Sequence, residues 1–505
     1  MKILTTTDSN LMTTITSLAI AILVGSSGQI IEAKIIKVPS DFQTIAQAVT
    51  NAQASDTIIL SPGTYNEKNI EINKPLTISS EWITTGDRAF IDQTFITPTD
   101  AILFSINSDD VEISGLTIFD GDHTLDINAR VTVKYNHFDN NLDPVSMETG
   151  GGGYVGYNLM ENNLDDGIDL DIGISDSYTG SDILIEHNTI VTSDDDGIEI
   201  RLFTTPNQNI HYEIRNNTIT GSNNAGIQLI SYDVYTGKVF DIHHNIIRNC
   251  KTALGCMGGS NTSEDLSGAS LMDEKVFLYN NTFLENEMGA TGGNSMIAIN
   301  NIIAGNTIGG FKRFGRYSAI ANNLFYNNMD NNFIEINNLA EQSDNILTED
   351  PLLDEITLMP GNGSPAIDAG MDSFILDEIT VIEIAPEEYS GSAPDIGALE
   401  SDAETAVALV MNVSDDYLIR NFPNPFLQST IISINLSQTG IIKLDIYDMM
   451  GRNTCTLEEG LREKGIHNVE WLATDVNGNK LPAGIYFARI RTGNIISNTK
   501  MLLLQ

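Results

Sequence analysis

Acidic residues recur at matching places in two neighbouring segments of the chain. The segments NLDDGIDLDI (163–172) and TSDDDGIEIRL (192–202) align on their glycines. Successive side chains of a β-strand point to opposite faces, so Ile168 is expected to point inward, whereas Asp169 and Glu199 point outward. The alignment therefore predicts columns of stacked carboxylates on one wall of the fold.

Six of these acidic residues form a candidate metal site. Paired strands lie about 4.8 Å apart, and carboxylates stacked at that distance repel one another and raise each other's pKa values. A divalent cation relieves such repulsion, and Ca²⁺ takes roughly six to eight oxygen ligands. The candidate ligands are Asp165, Asp166, Asp169, Asp195, Asp196 and Glu199. The alternative is an acidic face whose repulsion is screened only by water and salt. Asp165, Asp166, Asp195 and Asp196 are expected at one corner of successive coils, and Asp143 is expected to extend this column by one coil.

Two basic residues are candidates for proton removal beside such a cation. Arg201 lies in the second acidic segment, and Lys251 is expected about two repeats further along the same face. A cation that neutralises the carboxylate of a sugar acid would let a nearby Lys or Arg take its C5 proton, so cation and base must share one groove. An ion pair of Arg201 with Asp171, and a solvated surface charge at Lys251, are the alternatives. Paired carboxylates can also catalyse glycoside hydrolysis, in which one protonates the leaving oxygen and the other activates water.

Aromatic residues lie near the acidic segments and are candidates for stacking against sugar rings. They are Tyr178, Phe203, Tyr232 and Tyr235. The alternative for each of them is packing within a loop.

A repeated phrase predicts how these residues are positioned. An aliphatic residue, two variable residues, Asn, one further residue and an apolar residue recur every 20 to 36 residues. The repeated asparagines are Asn136, Asn158, Asn188, Asn217, Asn245, Asn281, Asn301 and Asn323. This period with short β-branched runs predicts a solenoid of stacked parallel strands, in which the asparagine amides bond from coil to coil. The longer intervals predict loops at about 173–182, 203–211, 231–238 and 257–274.

Composition argues against a nucleic-acid-binding protein and against a disulfide-rich one. The chain has 505 residues, 41% of them hydrophobic, and a formal net charge of −42. A length of this order predicts more than one folded unit, and the acidic balance argues against a nucleic-acid partner. Three cysteines, Cys250, Cys256 and Cys455, do not make a disulfide framework and are expected to be mostly buried thiols.

The start of the repeat region resembles a known family. Residues 42–80, FQTIAQAVTNAQASDTIILSPGTYNEKNIEINKPLTISS, are similar to the N-terminal cap of the pectate-lyase-like β-helix superfamily. SPAIDAG (364–370) and PDIGALE (394–400) resemble the way such proteins close. The resemblance implies an all-β fold, a right-handed parallel β-helix over 34–400, with a helical cap at Thr44–Asn51. The Gly-His-Gly and Arg-x-Lys signatures of polygalacturonases and the Gly-Asp-Thr-Asp-Phe segment of pectin methylesterases are absent, which disfavours both families.

The last part of the chain resembles a secretion module. NFPNPF (421–426), YDMMGR (447–452) and LPAGIYFARI (481–490) are similar to the sorting domain of type IX secretion cargo, and to an immunoglobulin-like domain of flagellar hook-assembly scaffolds. The resemblance implies a small β-sandwich at 420–505 after a linker at 401–419.

An export signal is expected at residues 1–33. Lys2 supplies positive charge, Leu18–Val24 is an apolar run, and Ala33 is a plausible cleavage position. Together with the sorting domain, this signal predicts a protein that the type IX machinery secretes or places on the outer cell surface. No membrane-spanning segment is expected after removal of the signal.

The leading functional hypothesis is a secreted carbohydrate-active β-helix. Its partner would be a polysaccharide or surface glycan, and its activity a calcium-assisted lyase reaction on an acidic polysaccharide. The alternative is a non-catalytic surface protein or adhesin that binds glycans or calcium.

Overall fold

The structure is a computed structural model in which the chain divides into two units, Met1–Ala403 and Glu404–Gln505. It describes residues 23–24, 30–31, 33–172, 182–202, 210–232, 237–258, 270–329, 331–355, 357–376, 379–386, 388–401, 419–422, 429–436, 439–448, 452–462, 465–474, 476, 480–482, 484–492 and 495–503. Most of the expected export signal and of the expected linker lies outside these residues.

The first unit begins with three short elements that precede or cap the solenoid. Strands β1 (Leu23–Val24) and β2 (Ile30–Ile31) pair antiparallel. Helix α1 covers Ile45–Asn51. A shorter helix α2 (Trp82–Thr85) and a 3₁₀ turn (Arg88–Phe90) lie within the first coils.

Three parallel sheets form the walls of the solenoid, and each coil contributes one strand to each sheet. Sheet 1 contains β3 (Ile35–Val38), β4 (Thr57–Leu60), β7 (Thr77–Ser80), β10 (Val111–Ser114), β13 (Arg130–Lys134), β16 (Gly152–Gly156), β19 (Ile183–Glu186), β22 (His211–Arg215), β25 (Val239–His243), β28 (Lys275–Tyr279), β31 (Ser295–Ile299), β34 (Ala319–Ala321) and β37 (Glu341–Ser343).

Sheet 2 contains β5 (Gly63–Tyr65), β8 (Thr94–Ile96), β11 (Thr117–Phe119), β14 (His137–Asp139), β17 (Leu159–Asn163), β20 (Thr189–Ser193), β23 (Thr218–Thr220), β26 (Ile246–Arg248), β29 (Thr282–Leu284), β32 (Ile302–Ala304) and β35 (Leu324–Tyr326). Sheet 3 contains β6 (Ile70–Ile72), β9 (Phe104–Ile106), β12 (His123–Ile127), β15 (Asp143–Met147), β18 (Ile168–Leu170), β21 (Ile198–Leu202), β24 (Ala225–Ser231), β27 (Thr252–Gly258), β30 (Met288–Thr291), β33 (Gly309–Lys312) and β36 (Asn331–Ile334). The predicted parallel β-helix is confirmed.

The core runs along the inside of the three sheets. Ile168, Ile198 and Ile227 are in register on neighbouring strands of sheet 3 and are fully buried in one continuous hydrophobic cluster. No coil can cover this surface by itself, so the stacking of identical inward positions is what stabilises the unit.

The asparagine ladder is present at the corner between sheets 1 and 2. Each asparagine from Asn136 onward donates its Nδ2 to the Oδ1 of the next, at 2.8–3.1 Å. The ladder continues to Asn345, one coil beyond the last asparagine of the predicted repeat. The residue before each asparagine has a positive φ, for example Tyr157 at 59° and His187 at 53°. Two residues therefore turn the chain between sheets, and the amides satisfy the buried backbone there.

Helix α1 closes the N-terminal end of the solenoid. Thr44 caps α1 by accepting the N–H of Gln47 at 3.1 Å, and Ile45 and Val49 bury the apolar face of the helix, as the resemblance implied. Glu67 adds two acceptors for the first N–H groups of the helix, at 2.7 and 2.9 Å. The helix thereby covers the open end of the first coils.

The last part of the first unit folds back along the solenoid. A hairpin of β38 (Ser373–Leu376) and β39 (Ile379–Glu383) packs on the outer side of the late strands of sheet 1. Three outward asparagines hold the returning backbone through their Nδ2 atoms. They are Asn280 to the carbonyl of Asp395 at 3.0 Å, Asn300 to Met371 at 2.9 Å and Asn322 to Ala369 at 2.8 Å.

The second unit consists of two antiparallel sheets around a core that includes Trp471 and Leu444. One sheet contains β40 (Ile419–Phe422), β41 (Thr430–Leu436) and β44 (Gly465–Trp471), and the other contains β43 (Asn453–Arg462), β42 (Gly440–Asp448), β45 (Gly484–Thr492) and β46 (Ile495–Leu503).

The three cysteines are free and buried, as expected. Among the described residues, none of the helices is long and apolar enough to cross a membrane.

Candidate cation site on sheet 3

An aspartate column forms the corner where sheet 2 passes into sheet 3. Asp143, Asp166 and Asp196 lie in register on successive coils and are buried. One oxygen of each accepts the backbone N–H of the residue one coil further on: Asp166 at 3.0 Å, Asp196 at 2.8 Å and Ala225 at 2.6 Å. The expected extension of the column to Asp143 is confirmed. These bonds give Asp196 a structural task, and the structure brings it into neither of the carboxylate groups described next.

Two overlapping groups of three carboxylates flank this corner, and we call them the inner and outer trios. The inner trio is Asp166, Asp169 and Glu199, and the outer trio is Asp165, Asp166 and Asp195. Within each trio one oxygen of every residue lies within 4.8 Å of the others. Asp166 belongs to both trios, so five of the six predicted ligands form one connected cluster.

The three carboxylates of the inner trio are buried and are not exposed on the surface of a groove. Asp169 is 5% exposed and Glu199 is 1% exposed. Both stand on the outer side of sheet 3, in register on β18 and β21, as expected. The Oδ1 atom of Asp169 is buried and accepts no hydrogen bond. A buried carboxylate oxygen without a hydrogen bond is costly, and a bound cation would remove that cost.

Arg201 lies against the inner trio. Its Nη1 atom is 3.1 Å from Asp171 Oδ2 and 3.8 Å from Asp169 Oδ1, and its Nη2 atom is in close contact with Glu199 Oε2. The expected ion pair with Asp171 is therefore present. The same guanidinium also neutralises part of the charge of the inner trio.

The electrostatics of the cluster favour protonation in the absence of another cation. Burial raises the pKa of Asp169 to about 7, with a further increase from the charge of Asp171. Burial raises the pKa of Glu199 to about 8, although the Arg201 charge opposes the shift. The pKa of Asp166 is also well above its usual value, because of burial and the charge of Asp196. A divalent cation would have to displace these protons.

Lys251 lies on the same corner as the outer trio. Backbone hydrogen bonds connect Asp195 N–H to Asp165 O, Asn224 N–H to Asp195 O, and Lys251 N–H to Asn224 O, at 2.9–3.1 Å. Lys251 is therefore two coils beyond Asp195, as expected, which is about 10 Å along the solenoid axis. Its side chain is exposed, and its charge lowers the pKa of Asp195 against the larger upward effect of burial.

One ionisable residue near the cluster was not predicted. His123 precedes Asp143 by one coil in the aspartate column, with its Nδ1 atom 3.4 Å from Asp143 Oδ2 and 3.3 Å from Asp122 Oδ1. Burial lowers the pKa of His123, but Asp143 and Asp122 together raise it above its usual value. The sequence signal for this position is the alignment of GDHT (121–124) with NLDP (141–144). This alignment can be recognised only when the exact length of the coil between the two segments is known.

One of the four predicted sugar-stacking residues lies within the part of the chain that the structure describes. Tyr178, Phe203 and Tyr235 lie outside the described residues. Tyr232 packs on Ile230 and Met257 and is partly buried. Burial raises its pKa, and the charge of Arg201 acts on its hydroxyl, so Tyr232 borders the inner trio.

Two family comparisons cover much of the chain. Residues 38–253 match the family described as "Protein of unknown function (DUF1565)". Residues 420–505 match the "Secretion system C-terminal sorting domain". No curated protein matches the chain at a significant level.

Two solved structures are similar to parts of the chain. The pectate lyase Pel9A has a TM-score of 0.41 and 14% identity, over 73% of this chain and 96% of that one. A mutant of the PL6 family alginate lyase AlyGC has a TM-score of 0.35 and 14% identity, over 78% of this chain and 60% of that one.

The three long parallel sheets and the two family matches define the class of the molecule. The chain is a parallel β-helix protein whose C-terminal part matches a secretion-system sorting domain. It is a protein of the secreted or outer-surface fraction.

Proposed function

We propose that this secreted β-helix protein is carbohydrate-active, and that it is a calcium-assisted lyase that cleaves an acidic polysaccharide by β-elimination. The observation that carries the proposal is the placement of two carboxylate trios and Lys251 along one corner of sheet 3. The trios supply a cation site, and the exposed lysine supplies a base within two coils of it.

The donor set of the trios fits calcium. All of its atoms are carboxylate oxygens, which a hard cation such as Ca²⁺ prefers, and carbonyl groups and water can complete its coordination. The outer trio is the part that a polymer can approach, because Asp165 and Asp195 are only partly buried. When bound, Ca²⁺ would neutralise the carboxylate of a uronate residue and make its C5–H more acidic.

The two basic candidates differ in their fitness as the base. Arg201 is held by three carboxylates, and a guanidinium does not lose its proton in proteins. Lys251 forms no ion pair with a carboxylate of the described residues, and its side chain is exposed. We therefore assign proton removal to Lys251 and the positioning of Asp169 and Glu199 to Arg201.

The reaction follows from these assignments. The neutral amine of Lys251 takes the C5 proton, the electron pair forms a C4=C5 double bond, and the C4–O4 bond breaks. The departing oxygen takes a proton from solvent. Tyr178, Phe203, Tyr232 and Tyr235 are the proposed sugar contacts.

The test is a lyase assay on a panel of uronate polymers, with calcium or with chelator. The new C4=C5 bond absorbs in the ultraviolet, so product is measured directly. We expect product only with calcium, and expect Lys251→Gln to abolish it. Lys275→Gln is the matched control, because Lys275 is also without a carboxylate partner among the described residues but begins β28 of sheet 1. Product formation by Lys251→Gln at the wild-type rate would refute the assignment of the base.

A second candidate function is calcium or glycan binding without catalysis, as in a surface protein or adhesin. The observation that favours it is the burial of Asp169 and Glu199, since an ion held there stabilises the wall and is out of reach of a polymer. Absence of unsaturated product across the panel, together with calcium-dependent retention on a uronate polymer, would support this function and reject the lyase.

A further inference from the structure

We propose that Arg201 is an internal counter-cation of the inner trio, and that a divalent ion must displace its guanidinium in order to bind there. This inference rests on the cation site of the proposed function and concerns how that site is filled. It differs from a catalytic role, because Arg201 would act through Asp169 and Glu199 and not on substrate.

The contacts of Arg201 define the competition. Two of its three carboxylate partners, Asp169 and Glu199, are members of the inner trio. A cation coordinated by their oxygens would share those atoms with the guanidinium and would lie within a few ångströms of a like charge. Repulsion at such a distance is strong in a buried setting. Calcium and the guanidinium in its present position therefore exclude each other.

The structure also provides a place for the displaced side chain. Asp171 belongs to neither trio, is the third partner of Arg201, and has a side chain that is 30% exposed. Asp171 directly follows β18, the strand that carries Asp169. A guanidinium that leaves Glu199 can keep its bond to Asp171 and gain contact with water, so displacement does not strand a buried charge.

One independent feature indicates that the inner trio awaits a ligand. Asp169 is only 5% exposed, and its Oδ1 atom accepts no hydrogen bond. The nearest nitrogen of Arg201 is 3.8 Å from that oxygen. The guanidinium thus compensates the charge of the trio without satisfying its geometry. A smaller ion of higher charge would do both.

The experiment is calorimetric titration of the whole protein with Ca²⁺, carried out at the same pH for every variant. Arg201→Gln removes the competing charge, and we expect calcium affinity to rise about tenfold or more. Arg201→Lys keeps a charge and should stay near wild type. Arg215→Gln is the matched control, since Arg215 bonds Glu186 and Glu213 at 2.8 Å and is 34% exposed, against 32% for Arg201.

Each outcome decides the inference. Higher affinity in Arg201→Gln alone supports it, and so does calcium binding by that variant when the wild type binds none. Equal or lower affinity in Arg201→Gln, with normal binding by the wild type, overturns the inference and leaves the proposed cation site intact. Absence of calcium binding in every variant overturns both. Melting temperatures in chelator separate a folding defect from a binding effect.

Discussion

The asparagine ladder offers a direct test of what holds the solenoid together, and Asn217→Ala is the sharpest perturbation. Asn217 is 1% exposed and lies in the middle of the ladder. Its Oδ1 accepts the backbone N–H and the Nδ2 of Asn188, both at 3.0 Å. Its Nδ2 donates to Ile185 O at 2.9 Å and to Asn245 Oδ1 at 3.0 Å. Alanine removes all four bonds without disturbing the inward apolar positions.

The expected loss follows from those bonds. The buried N–H of Asn188 would have no acceptor, which costs about 1–3 kcal/mol. The other three bonds contribute about 1 kcal/mol each when their partners keep a second bond, as Asn188 Nδ2 does with Val155 O. Because neighbouring bonds in a ladder are not additive, we expect the free energy of unfolding to fall by about 3–5 kcal/mol.

Denaturant unfolding followed by circular dichroism measures this change, provided that the β-helix unfolds in one transition. Asn223→Ala is the control, since Asn223 is an exposed asparagine of the same coil whose Nδ2 reaches Asp194 Oδ1 at 3.4 Å. The control should change the free energy of unfolding by less than about 0.5 kcal/mol. A loss below about 1 kcal/mol in Asn217→Ala would refute the reasoning, because it would mean that water replaces the buried ladder at little cost.

Three further predictions concern the cation site and the closing segment. In chelator, the melting temperature should fall as the pH rises from about 4 to 8. The folded protein keeps protons on Asp169 and Glu199, whose pKa values are about 7 and 8, whereas the unfolded chain releases them above about pH 4. Ca²⁺ should reverse this fall, and a melting temperature that does not change with pH in chelator would contradict the raised pKa values. Asp166→Asn should weaken calcium binding in calorimetry by about tenfold or more, since both trios share that carboxylate; unchanged affinity would exclude the trios as the site. Gly397→Ala should cost about 2–4 kcal/mol of unfolding free energy, because Gly397 has φ +108° and a Cβ there would lie 2.6 Å from Ile302 Cδ1. Gly363→Ala, at φ +85° with open space around it, should cost only about 1 kcal/mol, and equal losses would show that backbone strain alone matters.

The candidate site was largely predictable because a solenoid converts sequence spacing into spatial stacking. Glycines at 167 and 197 set the register, and Asp169 and Glu199 followed as neighbours on adjacent strands. The same logic placed Lys251 two coils beyond Asp195. Such columns need only the correct repeat boundary, which the recurring asparagine supplied.

Other features depended on contacts between segments that the repeat does not relate. The outward-facing carboxylates Asp169 and Glu199 proved to be buried, and one oxygen of Asp196 proved to accept the backbone N–H of Ala225. His123 entered the aspartate column because one coil is shorter than its neighbours. The return of residues 364–401 along the coils of Asn280 and Asn300 had no counterpart in the periodicity.

The sequence by itself determined the solenoid, its ladder and the order of acidic side chains along one wall, because each of these depends on local alternation and a repeat length. Only the tertiary structure decided how deeply those carboxylates are buried and which cation faces them. The reason is that desolvation and ion pairing depend on every atom within a few ångströms, including Arg201 and Asp171 from different coils. Chemistry at this wall is therefore a property of the stacked coils and not of any one repeat.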